Sequence, residues 1–131
     1  MAQSTLNNVR YVGMTTCVPK RVISNIDDCP PQMKLERERL VRNIGISHRR
    51  ICAEWQCFSD LAQVATEKLL EEIGWRPDEV DALIVVTQSP DYLIPATAII
   101  LQDKLRLSKT TIAFDINLGC SGYPFALYTL G

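Results

Sequence analysis

The run Ala82-Leu83-Ile84-Val85-Val86-Thr87 constrains the fold more than any other stretch of the chain. It is continuously apolar and β-branched, too short for a helix, and bounded by Pro77-Asp78-Glu79 before it and Ser89-Pro90 after it. A strand without polar alternation is buried on both faces, as strands of parallel sheets are. A second apolar run, Thr110–Asp115, follows one helix length later. Between the two, Pro95 opens a helical segment through about Leu105. Strand, helix and strand in that order predict an α/β fold with right-handed crossovers.

The rest of the chain fits this frame. Arg10–Val18 predicts a first strand, stopped by Pro19. Ser24–Pro31 is a loop, rich in Asn, Asp and Pro. Pro31 opens a helix over Gln32–Asn43, closed by Gly45. Its run Glu36-Arg37-Glu38-Arg39 alternates in sign, as a solvated helix face does. Ser47–Cys52 is a short strand. Ser59–Ile73 is the clearest helix, with Ser59 as N-cap, Asp60 in the first turn, and Gly74 beyond the end. Ala62, Ala65, Leu69 and Ile73 mark its apolar side. Pro77–Val80 is a single helical turn, Asn117–Gly122 a tight turn, and Tyr123–Leu130 a last helix.

Charge and composition exclude several functions. Fourteen basic against fifteen acidic residues give a net charge of −1, which argues against a protein held to nucleic acid by its phosphates. No stretch approaches the roughly 18 apolar residues of a membrane helix, and the N-terminus has no secretory pattern. The five cysteines, Cys17, Cys29, Cys52, Cys57 and Cys120, are odd in number and irregular in spacing. They predict free thiols in a reducing cytoplasm.

Cys120 falls where a buried strand gives way to a helix. Amides and the partial positive charge at a helix start favour a thiolate, and can hold an oxyanion when that thiolate attacks a carbonyl. Gly119 and Gly122 clear space around the sulfur. The same residues equally describe a buried cysteine in a strand–helix turn. His48, the one histidine, is an alternative general base, and His48, Cys52 and Cys57 an alternative zinc set, without the paired Cys-x-x-Cys of strong sites. Arg37, Arg39, Arg42, Arg49 and Arg50 form either a solvated surface or a patch for an acidic partner.

The segment Asp115-Ile116-Asn117-Leu118-Gly119-Cys120-Ser121-Gly122-Tyr123 resembles the nucleophile segment of the thiolase-like superfamily, most closely β-ketoacyl-acyl-carrier-protein synthase III. The resemblance extends through Tyr11-Val12-Gly13 and Val18-Pro19, through Ile44-Gly45-Ile46 with Arg49-Arg50-Ile51, and through Asp81–Thr87 with Ile94-Pro95-Ala96. It implies that the whole chain, residues 1–131, is the N-terminal half of a thiolase-like fold: a mostly parallel mixed sheet with flanking helices. It implies Cys120 as the residue acylated from a thioester, no tightly bound cofactor, and condensation with a malonyl group on acyl carrier protein. It implies a homodimer in which the loop at Ile94 reaches towards the partner's acyl pocket, and Arg42 one residue out of register with a family arginine at the donor site. The family's common phenylalanine is replaced by Ile94. Its adenine-stacking tryptophan, expected near Arg39-Leu40, has no counterpart in Trp55 or Trp75, so the donor is either a coenzyme A or a carrier-bound thioester. Other thiolase-like acyl transfer, thioester hydrolysis, or a half-domain that only associates are the alternatives. The chain ends 11 residues after Cys120, before the family's catalytic histidine and asparagine; the expectation is therefore acylation without complete condensation, and association through uncovered apolar surface.

Overall fold

A computed structural model of the chain describes residues 5–130. They divide into two compact units, residues 5–17 with 57–130, and Val18–Gln56.

The larger unit holds the predicted α/β core. Helix α2 (Phe58–Ile73) leads through a 3-10 turn at Pro77–Glu79 into strand β3 (Ala82–Val86). Helix α3 (Thr97–Lys104) then crosses to strand β4 (Ile112–Ile116), which lies parallel to β3 in the register Ala82↔Ile112 to Val86↔Ile116. Helix α4 (Gly122–Leu130) follows. The smaller unit pairs strand β1 (Arg21–Ser24) antiparallel with β2 (His48–Ile51) around helix α1 (Lys34–Ile44). The α/β class is as expected. Among the described residues its strands form two two-stranded sheets, one parallel and one antiparallel.

The core lies where α3 meets the parallel pair. Val85, Ala98, Leu101, Leu105 and Leu107 are buried together, with Ala62, Val80, Leu83 and Ala113 packed around them. Leu101 is 1% exposed. At the foot of the sheet, the Thr111 hydroxyl donates to Val80 O at 2.7 Å and the Gln102 amide donates to Ser108 O and Thr111 O. These bonds satisfy backbone carbonyls where the ladder begins.

Three element boundaries differ from expectation. Arg10–Val18 forms no strand: up to Cys17 it belongs to the larger unit, and it is held to α2 rather than to a neighbouring strand. The Thr15 hydroxyl donates to Ala65 O at 2.5 Å, and a Cβ at Gly13 would stand 2.9 Å from Leu69 Cδ1. The strand appears after Pro19, at Arg21–Ser24, where β2 supplies the partner backbone. Helix α3 starts at Thr97 rather than Pro95, because its first amides are taken by a carboxylate from β4. Ser59 lies inside α2 rather than capping it. Cys57 is the N-cap, and the Asp60 carboxylate accepts the Cys57 N–H at 2.8 Å, setting the helix frame two residues earlier. Gly45 and Gly74 close α1 and α2 in the left-handed conformation, at φ 75° and 71°.

Candidate active site

Parallel pairing puts the C-terminal ends of β3 and β4 at one edge of the sheet, the place where α/β folds bind their ligands. The pairing continues one residue further, with the Thr87 N–H donating to Ile116 O at 3.2 Å. Two segments leave this edge: residues 87–96, running to α3, and residues 117–121, running to α4 and carrying Cys120.

The Cys120 turn is built by close packing. The Gly122 N–H donates to Gly119 O at 2.9 Å and the Phe125 N–H to Ser121 O at 3.2 Å, which fixes the turn and the first turn of α4. Gly122 is buried, and a Cβ there would overlap Val86 Cγ1. Glycine is therefore what lets α4 start against the end of β3. On the other side of the cysteine, the Gln88 carboxamide lies over Gly119, its Oε1 3.5 Å from where a Cβ would be. Cys120 itself is exposed. The helix start is poorer in donors than expected. The Gly122 amide is engaged, and Pro124 in the first turn has none.

A chain of polar contacts ties this edge to the rest of the unit. The Asp115 carboxylate, five residues before Cys120, accepts the Thr97 and Ala98 N–H groups at 2.7 Å each. The fully buried Thr97 accepts the Asp91 N–H at its Oγ1, at 3.3 Å. The Asp91 carboxylate accepts the Ser59 N–H at 3.1 Å. The Lys104 ammonium donates to Ser59 Oγ and to Asp60, both at 2.7 Å. The bond from Lys104, then that from the Cys57 amide, holds the Asp60 carboxyl below its usual range.

Of the residues marked from sequence, Cys120 and Ile94 both lie on segments leaving this edge, and Ile94 is 88% exposed. Arg42 is exposed in the last turn of α1, in the Val18–Gln56 unit. Two of its four arginine neighbours have partners. Arg49 bridges Asn25 and Asp28, and Arg50 donates to Pro19 O at 2.9 Å. Arg37 and Arg49 line a shallow cavity of about 340 Å³ with Asn25 and Leu40. His48 is exposed on β2, its Nδ1 2.9 Å from Ser47 Oγ. Among the described residues, no three His, Cys, Asp or Glu side chains gather as a metal site. No described helix is long and apolar enough to cross a membrane.

Sequence reasoning overlooked Gln88, Asp91 and the capping role of Asp115. The carboxylates of the last two accept helix-start amides far from them in sequence, Ser59 for Asp91 and Thr97 with Ala98 for Asp115, so no local pattern marks them.

No family model matches the chain. Individual proteins do. A protein of Campylobacter jejuni, named as a candidate 3-oxoacyl-acyl-carrier-protein synthase 3, is 44% identical over 129 residues, which takes in 96% of this chain and 36% of the relative. A beta-ketoacyl-acyl-carrier-protein synthase III of Methylococcus capsulatus is 35% identical over 118 residues, 90% of this chain and 36% of its own length. The crystal structure of a 3-oxoacyl-(acyl-carrier protein) synthase from Burkholderia xenovorans superposes with a TM-score of 0.77 at 39% identity, covering 88% of this chain and 34% of that one. The chain thus spans about a third of the length of the relatives it matches. In sequence and in fold the chain is similar to the β-ketoacyl-acyl-carrier-protein synthase III proteins, with the thiolase-like fold of the part it matches.

Proposed function

We propose that Cys120 is the acyl-accepting nucleophile of a 3-oxoacyl-acyl-carrier-protein synthase III-type condensation. The observation that carries this reading is an exposed thiol at the C-terminal edge of a parallel strand pair, in a turn whose glycine packs directly on β3. The names of the relatives point the same way.

The chemistry runs as two transfers. The Cys120 thiolate attacks the carbonyl carbon of an acyl thioester, forming a new S–C bond. The tetrahedral intermediate then expels the donor's sulfur, which leaves as a thiol after taking up a proton. A malonyl group on acyl carrier protein next loses carbon dioxide, and the resulting carbanion attacks the acyl-cysteine. That forms the carbon–carbon bond of the ketoacyl product and returns the Cys120 thiolate. A protein thiol is the only catalyst the first transfer needs, so no resident cofactor is required. The donor is a coenzyme A or carrier-bound thioester. Ile94 contacts the acyl chain and Arg42 the donor's anionic arm. Acyl carrier protein and a second copy of the chain are the partners, the latter favoured by the exposed Leu93 and Ile94. Five free cysteines suit the reducing cytoplasm.

Incubation with acetyl-coenzyme A, followed by intact and peptide mass spectrometry, tests this. An acetyl group on Cys120, absent from Cys120→Ala, is the expected result. Limiting iodoacetamide should label Cys120 ahead of Cys17, Cys29, Cys52 and Cys57. Labelling led by any of those four, with no acyl adduct, would overturn the assignment.

A further inference from the structure

We infer that Gln88 is a further catalytic side chain of this site, donating a hydrogen bond to the carbonyl oxygen of the acyl group as Cys120 takes it up; this rests on the acylation proposed above. Thr87 still belongs to the ladder, through its N–H on Ile116 O at 3.2 Å. Gln88 is therefore the first residue to leave the sheet, at the edge from which the Cys120 turn also departs. The two segments meet at Gly119, the residue before the cysteine. The Oε1, Nε2 and Cδ atoms of Gln88 stand 3.5, 3.7 and 3.8 Å from the place a Cβ of Gly119 would take. Three nearly equal distances put the flat face of the carboxamide over that place. Its N–H and C=O edges then run across the turn and not into it. Half a rotation about the last side-chain bond exchanges oxygen and nitrogen without moving the plane, so the group can turn its donor towards a ligand.

The Gln88 side chain takes part in none of the bonds that shape its surroundings. Its own segment is held by the Ser89 N–H on Thr87 Oγ1 and the Asp91 N–H on Thr97 Oγ1. The turn is held by the Gly122 N–H on Gly119 O and the Phe125 N–H on Ser121 O. What the carboxamide can serve is the chemistry. Attack by the thiolate moves an electron pair of the carbonyl onto its oxygen, and that oxyanion needs donors already in place. The start of α4 supplies fewer than a helix start offers, because the Gly122 amide is engaged and Pro124 has no N–H. A carboxamide donates without gaining or losing a proton. When the intermediate collapses, the carbonyl re-forms and the bond from its carbon to the donor's sulfur breaks. That sulfur leaves with the electron pair and takes up a proton from water. Alkylation by iodoacetamide differs: the thiolate displaces iodide from a saturated carbon, and no oxyanion forms. Gln88 should therefore matter to acylation and not to alkylation. Its side chain is exposed, so water competes for the amide. The effect should fall below the factor of about 10² to 10³ typical of a buried oxyanion donor.

The test compares wild type with Gln88→Met, which keeps the length of the side chain without its amide, and with Gln88→Glu, which keeps the shape and replaces the donor by a carboxylate. The rates of Cys120 acetylation by acetyl-coenzyme A and of its alkylation by iodoacetamide are read by peptide mass spectrometry. The carbonyl stretch of the acetyl-cysteine is read by infrared difference spectroscopy. Gln88→Met should slow acetylation about tenfold while alkylation stays within about twofold of wild type. The acyl carbonyl stretch should move to higher frequency, since a hydrogen-bond donor lowers it. Gln88→Glu should be acetylated at neutral pH at least as slowly as Gln88→Met. Should Gln88→Met fail to fold, Gln88→Ala removes the same amide and carries the same expectation. Acetylation at the wild-type rate in the folded variants, or acetylation and alkylation slowed equally in Gln88→Met, overturns the role of Gln88 alone. A wild type that gains no acetyl group on Cys120 overturns the acylation reading itself, before any variant is made.

Discussion

The two units of this molecule are stabilised in different ways. Every buried side chain among the described residues lies in the larger unit: Leu70, Val85, Ala98, Leu101, Leu105 and Leu107, with Ser59, Thr97 and Thr111. The Val18–Gln56 unit buries none, and its apolar residues Leu35, Leu40, Ile44 and Ile46 stay about half exposed. It is held instead by a four-residue antiparallel ladder and by exposed pairs such as Arg49 with Asp28 and Lys34 with Asp27. Burial stabilises in proportion to area, whereas exposed ion pairs contribute little. The unit that carries the thiol is thus the rigid one, as a site that must hold its geometry requires.

The largest contrast should come from matched leucines. Leu101→Ala opens a cavity in the core and should cost about 2–5 kcal/mol. Leu40→Ala removes a side chain already 45% exposed and should cost about 1 kcal/mol or less. Denaturant titration followed by peptide-resolved hydrogen exchange checks both. Equal losses at the two positions would erase the distinction between the units.

A second test sharpens the tie between core and site. Gly122→Ala places a methyl into Val86 and should destabilise by about 1–3 kcal/mol while slowing Cys120 alkylation. Val86→Ala in the same chain makes room, so the double variant should recover much of the alkylation rate. The two effects should be strongly non-additive, since the residues touch. Additive losses would mean the turn does not depend on that contact.

These contrasts also mark how far the sequence could be read. The β3 run is continuously apolar, so its strand was legible from residues alone, although only Val85 of it is buried here, and α2, the glycine stops and the exposed-charge face of α1 were legible too. The place of Cys120 was legible because a strand, a glycine pair and a helix start coincide there. What was not legible depends on partners distant in sequence. Whether Arg10–Val18 joins a sheet depends on which backbone lies beside it, and here a hydroxyl and a glycine hold it to α2 instead. The α3 start was shifted by Asp115, 18 residues away, and the α2 start is shared between Asp60, which accepts the Cys57 N–H, and the distant Asp91, which accepts the Ser59 N–H. Local propensity contains none of that.

Acid should loosen both units, through different carboxylates. Asp60 is held below its usual range chiefly by the bond from Lys104, and Asp27 chiefly by the Ser24 side chain, then by Lys34. A carboxyl with a depressed folded pKa stabilises the fold above its unfolded pKa, and that contribution is lost as pH falls through the folded value. Both contributions should therefore be complete at neutral pH and fade below the ordinary carboxylate range near about 4. Lys104→Met should remove the Asp60 part selectively, seen as a flatter acid limb in exchange at α2 but not at β1. A flattening confined to β1 would contradict the assignment.

The smallest effect is expected at Arg49, the best-connected side chain of the smaller unit. Its guanidinium reaches Asn25 and Asp28 together, and the Asn25 amide in turn donates to Ile46 O at 3.0 Å. The geometry would favour a strong contribution if it were buried. The Arg49 and Asp28 side chains are 41% and 48% exposed, however, so water and salt screen the pair. Arg49→Lys loses the fork but keeps the charge, and Arg49→Met loses both. Neither should cost more than about 1 kcal/mol, and the difference between them should shrink in high salt. Exchange at the β1–β2 amides in low and high salt reads this directly. A loss of several kcal/mol, insensitive to salt, would show that the smaller unit has the dry interior its exposure denies, and would collapse the contrast between the units.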